Sequence, residues 1–244
     1  TENNKLIDYY KKLGINFNYK LDFSNIEIVW VYQKIIYPVN FDAIFKNKFD
    51  NLGEENNFII IPLGIEVENG SHANILIVDI ENKLIERFEP NGFYGPREFF
   101  YNPDLLDNLL QNKFTELLPN FKYLAPNKYL PIISFQILES LETEKCKKIG
   151  DPNGFCAVWC IWWAYYRIQY KNIKSSKLAK LLINKIKFNK LSFKEIIRNF
   201  SQRITEIRDE YLEKYNIDIN MWMNNNYDEE ILNNIEKDVL EFIR

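Results

Sequence analysis

Three side chains in this sequence have the types needed for nucleophilic chemistry: Cys156, His72 and Glu89. Cys156 lies where the loop Gly150-Asp-Pro-Asn-Gly154 runs into Phe-Cys-Ala-Val-Trp-Cys-Ile-Trp-Trp163, a stretch that reads as a helix apolar on every side. The first turn of a helix presents unpaired N–H groups and a positive dipole end, and both favour a thiolate over a thiol. A thiolate of this kind works with an imidazole base, and His72 is the single histidine in the chain. The imidazole in turn needs an acceptor on its other nitrogen to fix its tautomer.

The acceptor follows from a hairpin. His72-Ala-Asn-Ile-Leu-Ile-Val-Asp79 and Lys83-Leu-Ile-Glu-Arg-Phe-Glu89 are strand-like runs joined by Ile80-Glu-Asn-Lys83, and Pro90-Asn-Gly92 ends the second run. Positions equidistant from a turn near residues 81–82 face each other, which brings Glu89 and its neighbours to His72. Glu89 is the first choice of acceptor and Asn91 the second. Asp79 and Glu86 read as a solvated strand face. Gln136 could donate its side-chain amide to an oxyanion beside the Cys156 backbone N–H, or could simply be a polar residue ending a strand. Cys160, one turn deeper than Cys156, reads as core, as do Trp159, Trp162, Trp163, Tyr165 and Tyr166. Cys146 lies among Glu144, Lys145, Lys147 and Lys148 and reads as exposed. Zinc held by Cys146, Cys156, Cys160 and His72 would have acceptable ligand types, but the cysteine spacings match no knuckle, so neither metal nor cofactor is expected.

The elements that must position these residues can be read coarsely. Residues 4–13 space their apolar positions as a short amphipathic helix. Ile26–Tyr37 is β-branched and aromatic, giving one strand or two short ones, and residues 41–57 form a helical or irregular connector. Phe58-Ile-Ile-Ile-Pro-Leu-Gly-Ile65 reads as a buried strand with Pro62 near an edge or bulge. Leu105–Leu118 is helical, Leu130–Gln136 reads as a strand leading into a loop, and Glu139–Lys148 as charged and exposed. Ser175–Lys187, Ser192–Arg208 and Asp228–Arg244 are helices, with Ser192 and Asp228 as caps. No internal repeat is found. Strands come mostly before helices, so the fold class is α+β, a mixed or antiparallel sheet packed against helices.

Composition narrows the function classes. The 244 residues are 46% hydrophobic and 16% aromatic, ample for a packed core, and 31 basic against 34 acidic residues leave a net charge of −3. No global field recruits nucleic acid or an anionic membrane, although local patches are open. Three cysteines make no disulfide framework and suit a reducing, intracellular compartment. No run reaches the roughly 18 apolar residues of a membrane span, and the polar start does not read as a secretory signal. Heavy use of Asn, Ile and Lys fits AT-rich coding.

The order of histidine, acid 17 residues on, glutamine, then Gly154-Phe-Cys156 resembles the adenain and Ulp1-like cysteine peptidase clan. The runs Ser71–Asp79, Arg87-Phe-Glu-Pro-Asn-Gly92 and Gly154–Trp163 look most like divergent members from large DNA viruses and intracellular microbes. The resemblance covers about residues 25–205, including Phe193–Arg198, and leaves residues 1–24 and 206–244 as N- and C-terminal helical extensions. It implies the papain-like, order-permuted sheet of that clan, with His72 as base, Glu89 orienting it, Cys156 as nucleophile and Gln136 in the oxyanion hole. Two positions depart from the pattern: Ala73 stands where an aromatic often follows the histidine, and Gln136 lies 20 residues before Cys156.

The function implied is a cysteine protease acting through a thioester, with ubiquitin or a ubiquitin-like modifier, or a protein with a Gly-rich cleavage site, as partner. Processing of viral structural polyproteins, acyl transfer from the Cys156 thioester, and a non-catalytic binding or virion protein are the alternatives. Membrane partners are not expected and nucleic acid is not indicated. The expected location is the host cytoplasm, or a virion if the source is viral.

Overall fold

The computed structural model describes residues 26–51, 58–68, 70–96, 99–142, 154–224, 226–228, 230–235 and 238. The expected helix at 4–13, the charged segment carrying Cys146, and most of Asp228–Arg244 lie outside these residues. The chain divides into two compact units between Ile132 and Ile133. The long helix Phe193–Lys214 crosses residues 205–206 without a break.

The first unit is built on a six-stranded sheet. Its strands are β1 (Ile28–Val31), β2 (Lys34–Ile36), β3 (Phe58–Val67), β4 (Gly70–Asp79), β5 (Leu84–Phe88) and β6 (Lys122–Leu124), in the order β2-β1-β3-β4-β5-β6. The pairs β1–β3 and β5–β6 are parallel and the rest antiparallel, so the expected mixed sheet is what forms. Residues Ile26–Tyr37 make two short strands, because Tyr32 and Gln33 both take positive φ (47° and 59°) and close the two-residue turn whose twist suits a hairpin. In β3, Ile59, Ile61, Leu63 and Ile65 are buried in alternation, as a half-covered pleated strand requires. Pro62 is tolerated in this interior strand because β1 pairs only with Leu63 to Glu66, so the missing N–H of Pro62 falls beyond the end of that ladder.

Helices α1 (Phe41–Asp50) and α2 (Pro103–Leu117) supply the other half of the core. Phe41, Phe45, Leu106, Leu110 and Phe114 pack with the alternating isoleucines of β3, with Leu76 and Val78 of β4 and with Ile85 of β5. Phe45 and Phe114 meet edge to face at 5.6 Å, the arrangement that ring quadrupoles favour. Helix α2 begins where Asn102 accepts the Leu105 N–H at 3.0 Å with Pro103 in the first turn. Strand β6 has no counterpart in the sequence reading: three residues that are exposed or only partly buried leave too short an alternation to register.

The second unit is helical: α3 (Phe135–Ser140), α4 (Cys156–Gln169), α5 (Ser175–Phe188), α6 (Phe193–Lys214) and α7 (Ile219–Met223). The expected strand over Leu130–Gln136 is corrected here, since its last residues open α3. The apolar pair that suggested a strand, Ile132 and Ile133, is exposed on a bend. Phe135 is instead the hub of an aromatic core, 5.4 Å from Trp159, 5.1 Å from Trp162 and 6.1 Å from Trp163. Glu139, expected to be exposed, is buried and accepts from Trp159 Nε1 at 3.4 Å.

The start of α6 is held by two side chains. Ser192 accepts the Glu195 N–H at 3.0 Å, as expected of a cap, and Glu142 receives the Phe193 N–H at 2.6 Å and the Lys194 N–H at 3.1 Å. One carboxylate thus meets two otherwise orphaned donors at the positive end of the helix dipole. Glu142→Gln should therefore lower the unfolding free energy by about 1–2 kcal/mol, read as a shift of the urea midpoint at unchanged slope.

Candidate functional site

In the first unit the hairpin brings His72 and Glu89 together, with Nε2 2.6 Å from Oε1. The mechanism differs from simple opposition. The register Ile75↔Phe88 to Asp79↔Leu84, carried outward, sets Glu89 across from Asn74 and position 91 across from His72. Contact with His72 is therefore diagonal, within reach of a side chain as long as glutamate. The turn is closed by Asp79, which accepts the Asn82 N–H at 2.9 Å and its side-chain amide at 2.9 Å. Both Asp79 and Glu86 are buried, so the solvated strand face expected for them is not what forms.

Glu89 is fully buried, and both of its oxygens are engaged. Oε1 meets His72 and accepts the Asn91 backbone N–H at 2.9 Å, while Oε2 accepts from Asn74 Nδ2 at 2.9 Å and Tyr101 Oη at 2.8 Å. Burial alone would push this carboxyl up; the His72 charge and hydrogen bond, Arg87 and Asn74 outweigh it and bring it down to about 2. Tyr101 is moved the opposite way, well above its ordinary value, by burial and by the Glu89 charge.

The cluster extends beyond the residues that sequence reasoning chose. Arg87, fully buried, donates to Asp107 of α2 through Nε at 2.7 Å and Nη2 at 2.8 Å, and through Nη1 to Asn74 Oδ1. Tyr123 donates to Asp107 at 2.7 Å, and Tyr129 donates to the Arg87 carbonyl at 2.9 Å. Burial works against the Arg87 charge, but Asp107 overrides it and keeps the guanidinium ionised. His72, Asn74, Arg87 and Glu89 share the face of the sheet on which Leu76, Val78 and Ile85 meet the helices, so the polar line continues the core outward. Asn74 and Arg87 lie two residues from His72 and Glu89, and that period of two is the signal that could have found them.

The loop over this cluster is shaped by glycine. Gly95 has φ 68°, and a Cβ there would overlap the Tyr101 ring whose hydroxyl reaches Glu89. Phe99 stands edge-on to His72 at 5.7 Å.

In the second unit Cys156 is the first residue of α4, partly exposed, as expected for a thiol at a helix mouth. Cys160 is buried, also as expected. Gln136 sits in the first turn of α3 and does not end a strand; its Nε2 lies 3.8 Å from where a Cβ on Gly154 would be, and its Oε1 is buried without a hydrogen bond. The expectation that α4 is buried all round is corrected. Trp159, Trp162 and Trp163 face inward, but Ile161, Tyr165 and Ile168 are exposed along one side, and Tyr166 is only partly buried. Among the described residues no group of three or more His, Cys, Asp or Glu side chains is placed to hold a metal.

No family model matches the chain. No solved structure matches it. It is similar to a mimivirus protein. That protein, of Acanthamoeba polyphaga mimivirus, bears the name "Putative ankyrin repeat protein" and is 44% identical over 227 residues, which are 90% of this chain and 29% of the relative. The chain thus spans under a third of the relative it matches. This finding overturns the cysteine peptidase expectation, together with the ubiquitin-directed, deubiquitinase and enzymatic readings that followed from it. The relative is named for ankyrin repeats, and no peptidase family is indicated. Three residues in suitable order had suggested the peptidase clan, but a buried, fully engaged carboxylate beside a histidine also satisfies purely structural demands. Ankyrin repeats recur at about 33 residues as a turn and two helices. The described residues instead form a sheet-based unit followed by helices of 6, 14, 14, 22 and 5 residues, with no such period.

Proposed function

We propose that this chain is a non-catalytic protein-interaction module. The observation that carries the proposal is the similarity over 90% of the chain to a protein named for ankyrin repeats. The chain matches 29% of that relative and has a different architecture, so it would act beside repeats as a separate binding element.

The geometry of the first unit supports this role. Glu89, Asn74, Arg87 and Asp107 are internally satisfied, a state that fixes one arrangement of the hairpin against α2. His72 and Glu89 belong to this frame as positioning residues. Partners would be proteins, as the name of the relative suggests.

The test is affinity capture on the full chain, followed by a binding isotherm with the captured protein after purification. Saturable binding that Cys156→Ala leaves unchanged supports the module. Turnover of a captured protein that disappears in Cys156→Ala would overturn it.

A further inference from the structure

The 24 residues 171–194 hold eight of the chain's 31 basic residues and none of its 34 acidic ones. They centre on α5, which buries Leu178, Ala179, Leu182, Ile183 and Ile186 in its unit. The opposite face is exposed. At 100° per residue Lys177, Leu181, Asn184 and Phe188 run down its middle, with Lys180 and Lys187 on one flank and Lys185 on the other. At its C-terminal end Phe188 is 87% exposed and Leu191 53%. Among the described residues no ion pair joins Lys174, Lys177, Lys180, Lys185, Lys187 or Lys190 to an acid.

Helix stability accounts for Lys185 and Lys187, which lie in the last turn where the dipole favours cations, but not for the rest of this face. Lys174 occupies the N-cap with no side-chain cap, and the first turn has no acid, so two ordinary contributions at a positive dipole end are forgone. At the other end Leu191 N–H donates to the Ile186 carbonyl and Lys190 N–H to that of Lys187, the closure that ordinarily takes glycine at position 190. Here Lys190 itself adopts φ 52°. The neighbouring α6 has both a serine cap and a glutamate in its first turn. At its N-terminus helix α5 thus keeps a lysine where a neutral or acidic capping residue would serve the helix better, and it leaves a phenylalanine and two leucines in water.

We infer that the α5 face docks on an anionic lipid surface, its lysines against the headgroups and Phe188 and Leu191 in the boundary between headgroups and acyl chains. Charge complementarity selects a polyanion, and the apolar residues select lipid among polyanions. Leu181 and Leu191 add nothing to contact with a phosphodiester backbone, and the face has no arginine to read base edges. The association is peripheral, since no described helix is long and apolar enough to cross a membrane.

Co-sedimentation of the full chain with phosphatidylcholine vesicles, with and without phosphatidylserine, tests it. Each lysine near such a surface contributes about fivefold in partitioning, so K180E with K187E should weaken binding to the phosphatidylserine vesicles about 25-fold or more. Phe188→Ser should weaken it several-fold at unchanged charge, and added salt should release the wild type. Circular dichroism confirms that each variant is folded. Absence of wild-type binding to phosphatidylserine vesicles would overturn the inference. So would binding indifferent to both changes, or tighter binding to a DNA or RNA oligonucleotide or to an acidic protein on which Phe188→Ser has no effect.

Discussion

Asp107→Asn should lower the unfolding free energy by about 3–5 kcal/mol, the largest single effect expected outside the apolar core. Asp107 is the bidentate partner of the Arg87 guanidinium, and Arg87 is fully buried. Removing the carboxylate charge leaves the guanidinium with Asn74 and a carboxylate, Glu89, 4.0 Å away, which is already engaged by His72, Asn74 and Tyr101. The loss reflects an uncompensated buried charge more than the worth of the pair. Replacing Arg87 and Asp107 together by leucine and asparagine should therefore cost less than the sum of the two single changes. Urea unfolding of the single and double variants measures this; additive losses would show that the two side chains do not act as one unit.

Acid should destabilise the first unit in a defined window. Glu89 is held down to about 2, against an ordinary 4.5. A carboxyl depressed in the folded state binds its proton more readily in the unfolded chain. Its contribution is fully present above about pH 4.5 and is lost as the pH falls towards 2. The size is about 3 kcal/mol, on the scale of 1.4 kcal/mol per unit of displacement. Glu89→Gln should be less stable than wild type at neutral pH and should show a flatter stability profile between pH 4.5 and 2. Thermal or urea unfolding followed across that range decides it. Parallel profiles for the two proteins would mean that other carboxyls govern acid unfolding.

Both predictions concern residues that the sequence made legible to different degrees. The hairpin from His72 to Glu89 could be read because turn residues and alternating apolar positions fix its register, and the register alone brings a histidine near an acid. Asn74 and Arg87 carry the same period, but polar residues within strands look like a solvated face until the opposing layer is known. That layer is α2, and its Asp107 comes from 18 residues beyond Glu89, a distance that periodicity cannot span. The sheet class was readable for the same local reason, whereas β6 and the α3 helix were not. One is too short to alternate, and the other has an apolar run whose burial is decided by contact with Trp159 and Trp162.

Residue types and their order constrain chemistry weakly. A thiol at a helix mouth, a lone histidine and a buried glutamate occur together for reasons of packing as well as of catalysis. What separates the two is the similarity along most of the chain to a protein named for ankyrin repeats, with no peptidase family indicated. Helix α4 makes the same point: its sequence is apolar on every side, yet Ile161, Tyr165 and Ile168 face solvent.

The central claim, that the chain binds protein partners without chemically altering them, is tested most directly by intact mass spectrometry of a purified binding partner. The partner is incubated with the wild-type chain and with Cys156→Ala at saturating concentration. The account predicts an unchanged partner mass in both, with equal affinities. A partner shortened, or carrying a new adduct, only when Cys156 is present would contradict it.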